Sequence, residues 1–311
     1  MVKVLILSTL AILSAACIKD NSKDPKSQKV VVLLPDDSII DRWASDRQNL
    51  KTVMDKYGFN TTFYTAPETE EGAVEQVNQL KKVIQDGANY IVLTAIDHNL
   101  INESGLLDRN PDVKVVCHDR LVLNNPHIAY VSSTDTKEIG RLQAIFLLNH
   151  FHSTGADSMT IEILEGPETD FNAKEYYEGA MELLKKYIDD GKKDMQNRLE
   201  SYGEGECPDM VLAANDNLAQ GAIEALEEAG ITAMPVITGQ DNTAMAKSNI
   251  KNHKQAMTID KNLKDMAYNT ALIINSLISG SPVQTSQSIF IGTASIPALY
   301  SKTSLMTIDS Y

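Results

Sequence analysis

Six short clusters of polar side chains carry the chemistry this chain could perform, and each follows an apolar run. Asp36, Asp37, Asp41, Arg42 and Trp43 form the first, and His118, Asp119 and Arg120 the second. Then come Asp170 with Phe171 and Asn172, Asn215 with Asp216, Gln240 with Asp241, and Asp260 with Lys261. Carboxylate and amide oxygens accept from hydroxyl groups, whereas guanidinium, ammonium and amide N–H groups donate to them. Their planar forms can bridge two neighbouring hydroxyls. An indole such as Trp43 can cover the C–H face of a sugar ring. The mix suits a small neutral polyol.

Other chemistries find less support. A phosphate ligand would call for a glycine-rich loop, and the sequence has no P-loop and no GxGxxG. It has no nucleophile elbow, CxxC pair or HExxH, so neither catalysis nor a metal or other cofactor is expected. Asp36 and Asp37 are adjacent and point in different directions. The net charge of −14 repels phosphate backbones and argues against nucleic acid.

Each cluster also has a plainer role open to it. Asp119 and Arg120 could pair with each other at the surface. Asp216 could cap a helix before Leu218, and Asp241 another before Ala244. Trp43 could belong to the core, and Lys261 could be a solvated lysine. His118 reads as packing, and Tyr176 and Tyr177 as helix surface.

These clusters need elements to hold them. Residues 30–34 form a continuous aliphatic run, as a strand buried on both faces requires. Residues 42–57 read as a helix stopped by Gly58. Further strands are expected at 61–64, 90–94, 113–117 and 128–131, with a helix whose apolar face is Val74, Val77, Leu80, Val83 and Ile84. The alternation restarts with a helix at 136–150. Strands follow at 159–164, 210–213, 236–238, 256–259 and 288–291, and helices at 173–190, 218–229, 244–252 and 262–279. Strands alternating with helices imply parallel sheets covered on both faces. In such sheets ligands sit outside the carboxyl ends of the strands, where the six clusters lie. Between Leu164 and Met210 only helices are expected, at 173–190 and 193–202, so one lobe should lack an edge strand.

The N-terminus has a different composition. Lys3 is followed by an apolar run too short to span a membrane, and then by Ser14, Ala15, Ala16 and Cys17. This resembles a bacterial lipoprotein signal, although Leu13 stands one residue further from the cysteine than is usual. Residues 1–16 are expected to be removed, Cys17 to be lipidated, and polar residues 17–28 to tether the protein to a membrane. A DNA-binding headpiece of the kind that repressor-like sensors carry would need this same stretch. Cys117 and Cys207 are expected to be free thiols.

Taken together, Asp41-Arg42-Trp43, His118-Asp119-Arg120, Asp170-Phe171-Asn172-Ala173-Lys174, Ala214-Asn215-Asp216, Gly239-Gln240-Asp241 and Thr258-Ile259-Asp260-Lys261 resemble periplasmic monosaccharide-binding proteins. The likeness is to the ribose-, xylose- and multiple-sugar-binding group and runs from about Lys29 to near the C-terminus. It implies two doubly wound α/β lobes joined by a three-segment hinge. Residues 29–133 with 261–289 would form the N-terminal lobe, and 134–260 with 290–311 the C-terminal lobe. It also implies an extracytoplasmic, monomeric binder, not an enzyme, that delivers a xylose- or other aldose-like sugar to an ABC permease, a chemoreceptor or a sensor. The sugar-binding residues so implied are Arg42, Asp119, Arg120, Asn172, Asn215, Asp241 and Lys261, with Trp43 as a stacking wall. Phe171 stands where many relatives have a second asparagine and His118 where they have tyrosine. A ligand-facing loop with its strand is missing near Gly191, so Phe171 is expected to replace its aromatic wall, facing Trp43. A degenerate binder that lost its sugar with that segment is the alternative, and a cleft enzyme a remoter one.

Overall fold

The computed structural model describes residues 28–39, 42–167, 170–185, 187, 206–285 and 287–311. The first lobe contains β1 (Lys29–Pro35), α1 (Arg42–Tyr57), β2 (Asn60–Ala66), α2 (Glu70–Gln85), β3 (Tyr90–Leu93), α3 (His98–Glu103), β4 (Lys114–His118) and β5 (Ile128–Ser133). The second contains α4 (Thr136–Thr154), β6 (Ile161–Leu164), α5 (Phe171–Leu184), β7 (Met210–Ala213), α6 (Asp216–Glu228), β8 (Val236–Ile237), α7 (Ala244–Lys251) and β9 (Thr258–Asp260). The chain then returns through α8 (Leu263–Ser279), β10 (Gln287–Phe290) and β11 (Ser295–Tyr300) to the first lobe, and through β12 (Ser304–Met306) to the second.

The first lobe is built on a seven-stranded sheet of order β10-β11-β5-β4-β3-β1-β2. All its pairings are parallel except that of β10 with β11. The run through β1 shows why the aliphatic residues are continuous. Val31 and Leu33 join the core cluster on one face, with Leu80, Val83 and Ile101. Val30, Val32 and Leu34 join the cluster on the other, with Leu50 and Met54 of α1 and Ala267, Ala271 and Ile274 of α8. A strand covered on both faces has no polar side to alternate with.

The second lobe has parallel strands β6-β7-β8. A bridge between Gln240 and Ile259 brings β9 alongside, and β12 pairs antiparallel with β9. Helices α4 and α5 pack so tightly that a Cβ on Gly140 would meet the Tyr176 carbonyl oxygen at 2.0 Å, and one on Gly179 the Lys137 carbonyl oxygen at 2.0 Å. Tyr176, expected on a helix surface, is instead fully buried there and donates its hydroxyl to Gln143 Oε1 at 3.1 Å. Its ring belongs to the lobe's core cluster, with Ile139, Leu147, Ile163 and Leu184. Among the described residues no strand lies between β6 and β7; the helix expected at 173–190 starts two residues earlier and ends at Leu184, capped by Lys185, and the helix expected at 193–202 lies outside the described residues.

Three segments cross between the lobes, at residues 133–135, 260–262 and 301–303. Ser301 ties them together: its N–H donates to the Ser133 carbonyl at 2.9 Å and its hydroxyl to the Lys261 carbonyl at 2.8 Å. The third crossing corrects the expected boundary at 289–290, because β11 belongs to the first lobe's sheet. Pro297 disguises β11, since proline cannot donate to a ladder. It is tolerated because β5 pairs only with residues 298–300, while Pro297 lies opposite Ser288 of β10. β12 is only three residues long and left no period to read.

Candidate functional site

The carboxyl ends of β1, β4, β6, β7 and β9 converge on one cleft between the lobes. It is lined by Arg42, Trp43, Asp119, Arg120, Asn172, Asn215, Asp241 and Lys261. Glu165, Gly166, Pro167, Asp170, Ala173, Ala214 and Gln240 complete it. All eight residues singled out as sugar-binding from the sequence therefore meet here.

Its centre is a ring of alternating charge. Arg42, the first residue of α1, reaches Asp119 Oδ2 at 2.5 Å and Asp241 Oδ1 at 3.0 Å. Lys261 Nζ lies 3.2 Å from Asp241 Oδ1 and 3.7 Å from Asp119 Oδ1. The Arg42–Asp241 pair crosses from one lobe to the other. Burial alone would lower the Arg42 pKa, but the Asp119, Asp241 and Asp46 carboxylates outweigh it and raise it further. Burial likewise opposes ionisation of Asp119, yet Arg42, Lys261 and Arg120 hold its carboxyl well below the usual range. Asp241 is lowered too: Lys261 and Arg42 overcome its burial. Both carboxylates stay ionised, and each sits on left-handed backbone, with φ 63° at Asp119 and 102° at Asp241. Residues other than glycine adopt that conformation only where their surroundings hold it. Here the Asp119 N–H donates to the Ser132 carbonyl at 2.8 Å and the Asp241 N–H to the Ile259 carbonyl at 2.8 Å.

A second set of pairs closes the rim. Arg120 reaches Glu68 Oε1 at 2.5 Å and, across the lobes, Asp170 Oδ2 at 3.0 Å. It does not pair with its neighbour Asp119. Asn172 Nδ2 donates to the Asp119 carbonyl at 3.4 Å, and Asn217 Nδ2 to the Ile39 carbonyl at 2.8 Å, both between lobes. Trp43 is 1% exposed; its Nε1–H donates to Glu68 Oε2 at 2.9 Å. The Arg42 and Arg120 guanidinium carbons lie 3.9 and 5.1 Å from its ring centroid. Trp43 is thus both core and wall, and the cation–π contacts orient the two arginines.

Several plainer roles fall to other residues. Asn215, not Asp216, caps α6 by accepting from Leu218 N–H at 2.9 Å, and Thr243, not Asp241, caps α7. Lys261 is 4% exposed and therefore not a solvated lysine. His118 lies behind the cleft, 2.7 Å from the Thr270 hydroxyl and 3.0 Å from Asp46. Phe171 is a correction. It does not face Trp43 but turns to the hinge side, into a separate groove lined by Lys137, Glu175, Ile289, Phe290 and Tyr300, and packs against the first lobe's core. As the first residue of α5, after the cap Asp170, it points away from Asn172, which enters the cleft.

Glu68 and Gln240 are site groups that the sequence argument passed over. Glu68 closely follows β2, by the same strand-end rule, but β2 runs two residues beyond the strand expected at 61–64. Gln240 was noted at a strand end without a role; it donates to the Ala214 carbonyl and bridges to β9. Among the described residues no group of three His, Cys, Asp or Glu is placed to hold a metal. Cys117 and Cys207 are free, and burial pushes the Cys117 thiol up to about 12.

The comparisons agree with this architecture. The periplasmic binding protein domain matches residues 30–282. The multiple sugar-binding periplasmic receptor ChvE of Rhizobium radiobacter is 26% identical over 268 residues, covering 77% of this chain and 75% of that protein. The D-xylose-binding periplasmic protein of Escherichia coli is 26% identical over 287 residues, covering 85% and 82%. In fold, the chain resembles an ABC transporter solute-binding protein from Clostridium phytofermentans with bound β-D-glucose, at a TM-score of 0.81 and 24% identity over 91% of this chain and 95% of that one.

Proposed function

The chain belongs to the periplasmic binding protein family, and we propose that its cleft binds a monosaccharide outside the cytoplasm for delivery to an ABC permease. The observation that carries this reading is the ring of Arg42, Asp119, Asp241 and Lys261, to which both lobes contribute. Such a ring offers acceptors and donors side by side without a net charge, which suits vicinal hydroxyls. Arg120, Asn172 and Asn215 extend it, and Trp43 supplies an apolar surface. A xylose- or other aldose-like sugar fits this set.

Binding without turnover is favoured by the same charges. Asp119 and Asp241 have depressed pKa values, which makes them poor proton acceptors at neutral pH. Pairs between the lobes, Arg42 with Asp241 and Arg120 with Asp170, close over the cleft, so the lobes part at the three crossings tied by Ser301 to admit a ligand, as a hinge. We propose further that Cys17 carries a lipid anchor, with the binder acting as a monomer and its partner a permease, chemoreceptor or sensor. Isothermal titration against pentoses and hexoses, with Trp43 fluorescence as the closure signal, tests the reading. Heat and a fluorescence shift with an aldose support it. No response to any sugar refutes it in favour of a degenerate binder.

A further inference from the structure

Asp216 opens α6 immediately after the capping residue and is completely buried. It does not line the cleft. Its Oδ2 accepts from the Thr243 N–H at 3.0 Å and the Thr243 hydroxyl at 3.2 Å. Its Oδ1 accepts from the Thr258 hydroxyl at 2.8 Å and the Gln255 amide at 3.0 Å. Its own N–H donates to the Gln240 carbonyl at 3.0 Å. Gly239 passes so near that a Cβ there would meet Asp216 Oδ1 at 2.3 Å. One carboxylate thus ties residues 239–243 to the start of α6 and to β9.

That segment presents Gln240 and Asp241 to the cleft. Asp241 and Asn242 are both left-handed, at φ 102° and 52°, so the turn persists only while its neighbours hold it. The Asn242 N–H donates to the Thr258 hydroxyl at 3.2 Å, and that same hydroxyl donates to Asp216. We propose that Asp216 is the positioning residue for Asp241, acting through Thr243 and Thr258, and that its protonation loosens the turn and weakens ligand binding. The inference rests on the cleft reading above.

All four groups bonded to the Asp216 carboxylate are neutral donors. Of the charged or titratable groups around it, Asp241 faces it from the same turn and Tyr311 from the C-terminus; Asp260 of β9 acts on that tyrosine too. Lys261 is engaged with Asp241. Burial and then the Asp241 charge push the Asp216 carboxyl up to about 7. A proton there replaces an acceptor by a donor and releases one of the four bonds.

The experiment measures sugar affinity from pH 5.5 to 8.5 for the wild type, Asp216→Asn and Thr258→Val. Losing one hydrogen bond corresponds to about a fivefold change in affinity. Wild-type affinity should rise about fivefold through neutral pH. Asp216→Asn, whose amide meets the same donors at every pH, should bind weakly with a flat profile. Thr258→Val should move the midpoint to higher pH, because its hydroxyl favours the ionised form. A ligand-free arm separates this from the cleft reading. A raised carboxyl pKa adds stability that is full below about 4, the unfolded value, and lost as pH rises through about 7. The wild type should show that decline in melting temperature and Asp216→Asn should not. Superimposable melting profiles, or an Asp216→Asn that binds like the wild type at every pH, would overturn the proposal. If Asp216→Asn does not fold, an unshifted Thr258→Val midpoint does the same. Absence of any sugar binding with the melting difference intact refutes the cleft reading alone.

Discussion

Replacing Arg42 by methionine tests the cleft's central claim, that its buried charges serve closure more than folding. Arg42 is 5% exposed and faces three carboxylates, at 2.5 Å for Asp119, 3.0 Å for Asp241 and 3.8 Å for Asp46. Removing one partner of a buried ion pair costs about 3–5 kcal/mol when the other stays dry. Asp119 and Asp241 need not stay dry, because they line a cleft that can open and hydrate them. Only Asp46 remains enclosed, and it keeps His118 at 3.0 Å. Most of the cost should therefore fall on the closed form. The melting temperature of the ligand-free variant should drop by only about 2–4 °C, equivalent to about 1 kcal/mol. Its radius of gyration by small-angle scattering should rise. Sugar affinity by calorimetry should fall at least about a hundredfold, since about 3 kcal/mol must be met again on closing. Affinity within a few-fold of the wild type would refute the reasoning. So would a collapse of the melting temperature with an unchanged radius, which would make Arg42 a folding residue.

Phe171→Ala should leave sugar affinity within about twofold, because the ring lies in the hinge-side groove; a tenfold loss by titration would return it to the cleft. Labelled fatty acid should enter the wild-type protein and not Cys17→Ser; equal labelling of both would remove the anchor. Asp119 and Asp241 have depressed pKa values, so their stabilisation is present above about 4 and lost only as pH falls through those lower values. The closed form should survive at pH 4.5 and open in stronger acid, as followed by scattering; opening between pH 5 and 6 would contradict the ion-pair ring.

Most of the first lobe was legible because its strands are buried on both faces and its helices on one. Val30, Val31 and Val32 announce themselves by being uninterrupted. What the sequence hid was set by partners distant along the chain. Pro297 argues against a strand until it is seen opposite Ser288, outside the β5 ladder. Tyr176 looks like a helix-surface residue until Gly140 lets α4 close over it. At the site, residue type and strand-end position gathered the polar clusters, and the resemblance to monosaccharide-binding proteins picked from them the eight residues that line the cleft, but not their pairing. Phe171 and Asn172 are neighbours at a helix start, and the step of about 100° between adjacent helical residues sends one to the groove and the other to the cleft.

The pairing itself decides what the cleft can recognise. Every cation in it already has a carboxylate: Arg42 and Lys261 share Asp119 and Asp241, and Arg120 holds Glu68 and Asp170. A charged ligand would have to displace one of these partners and leave it buried and unpaired, at a cost of several kcal/mol. A neutral polyol brings no charge that needs a new partner, and its hydroxyls donate to the carboxylates while accepting from the cations. Two of these pairs, Arg42 with Asp241 and Arg120 with Asp170, also join the lobes, so a sugar must replace contacts that already exist. Its affinity comes from the difference between the two sets of contacts, and only that difference shifts the hinge.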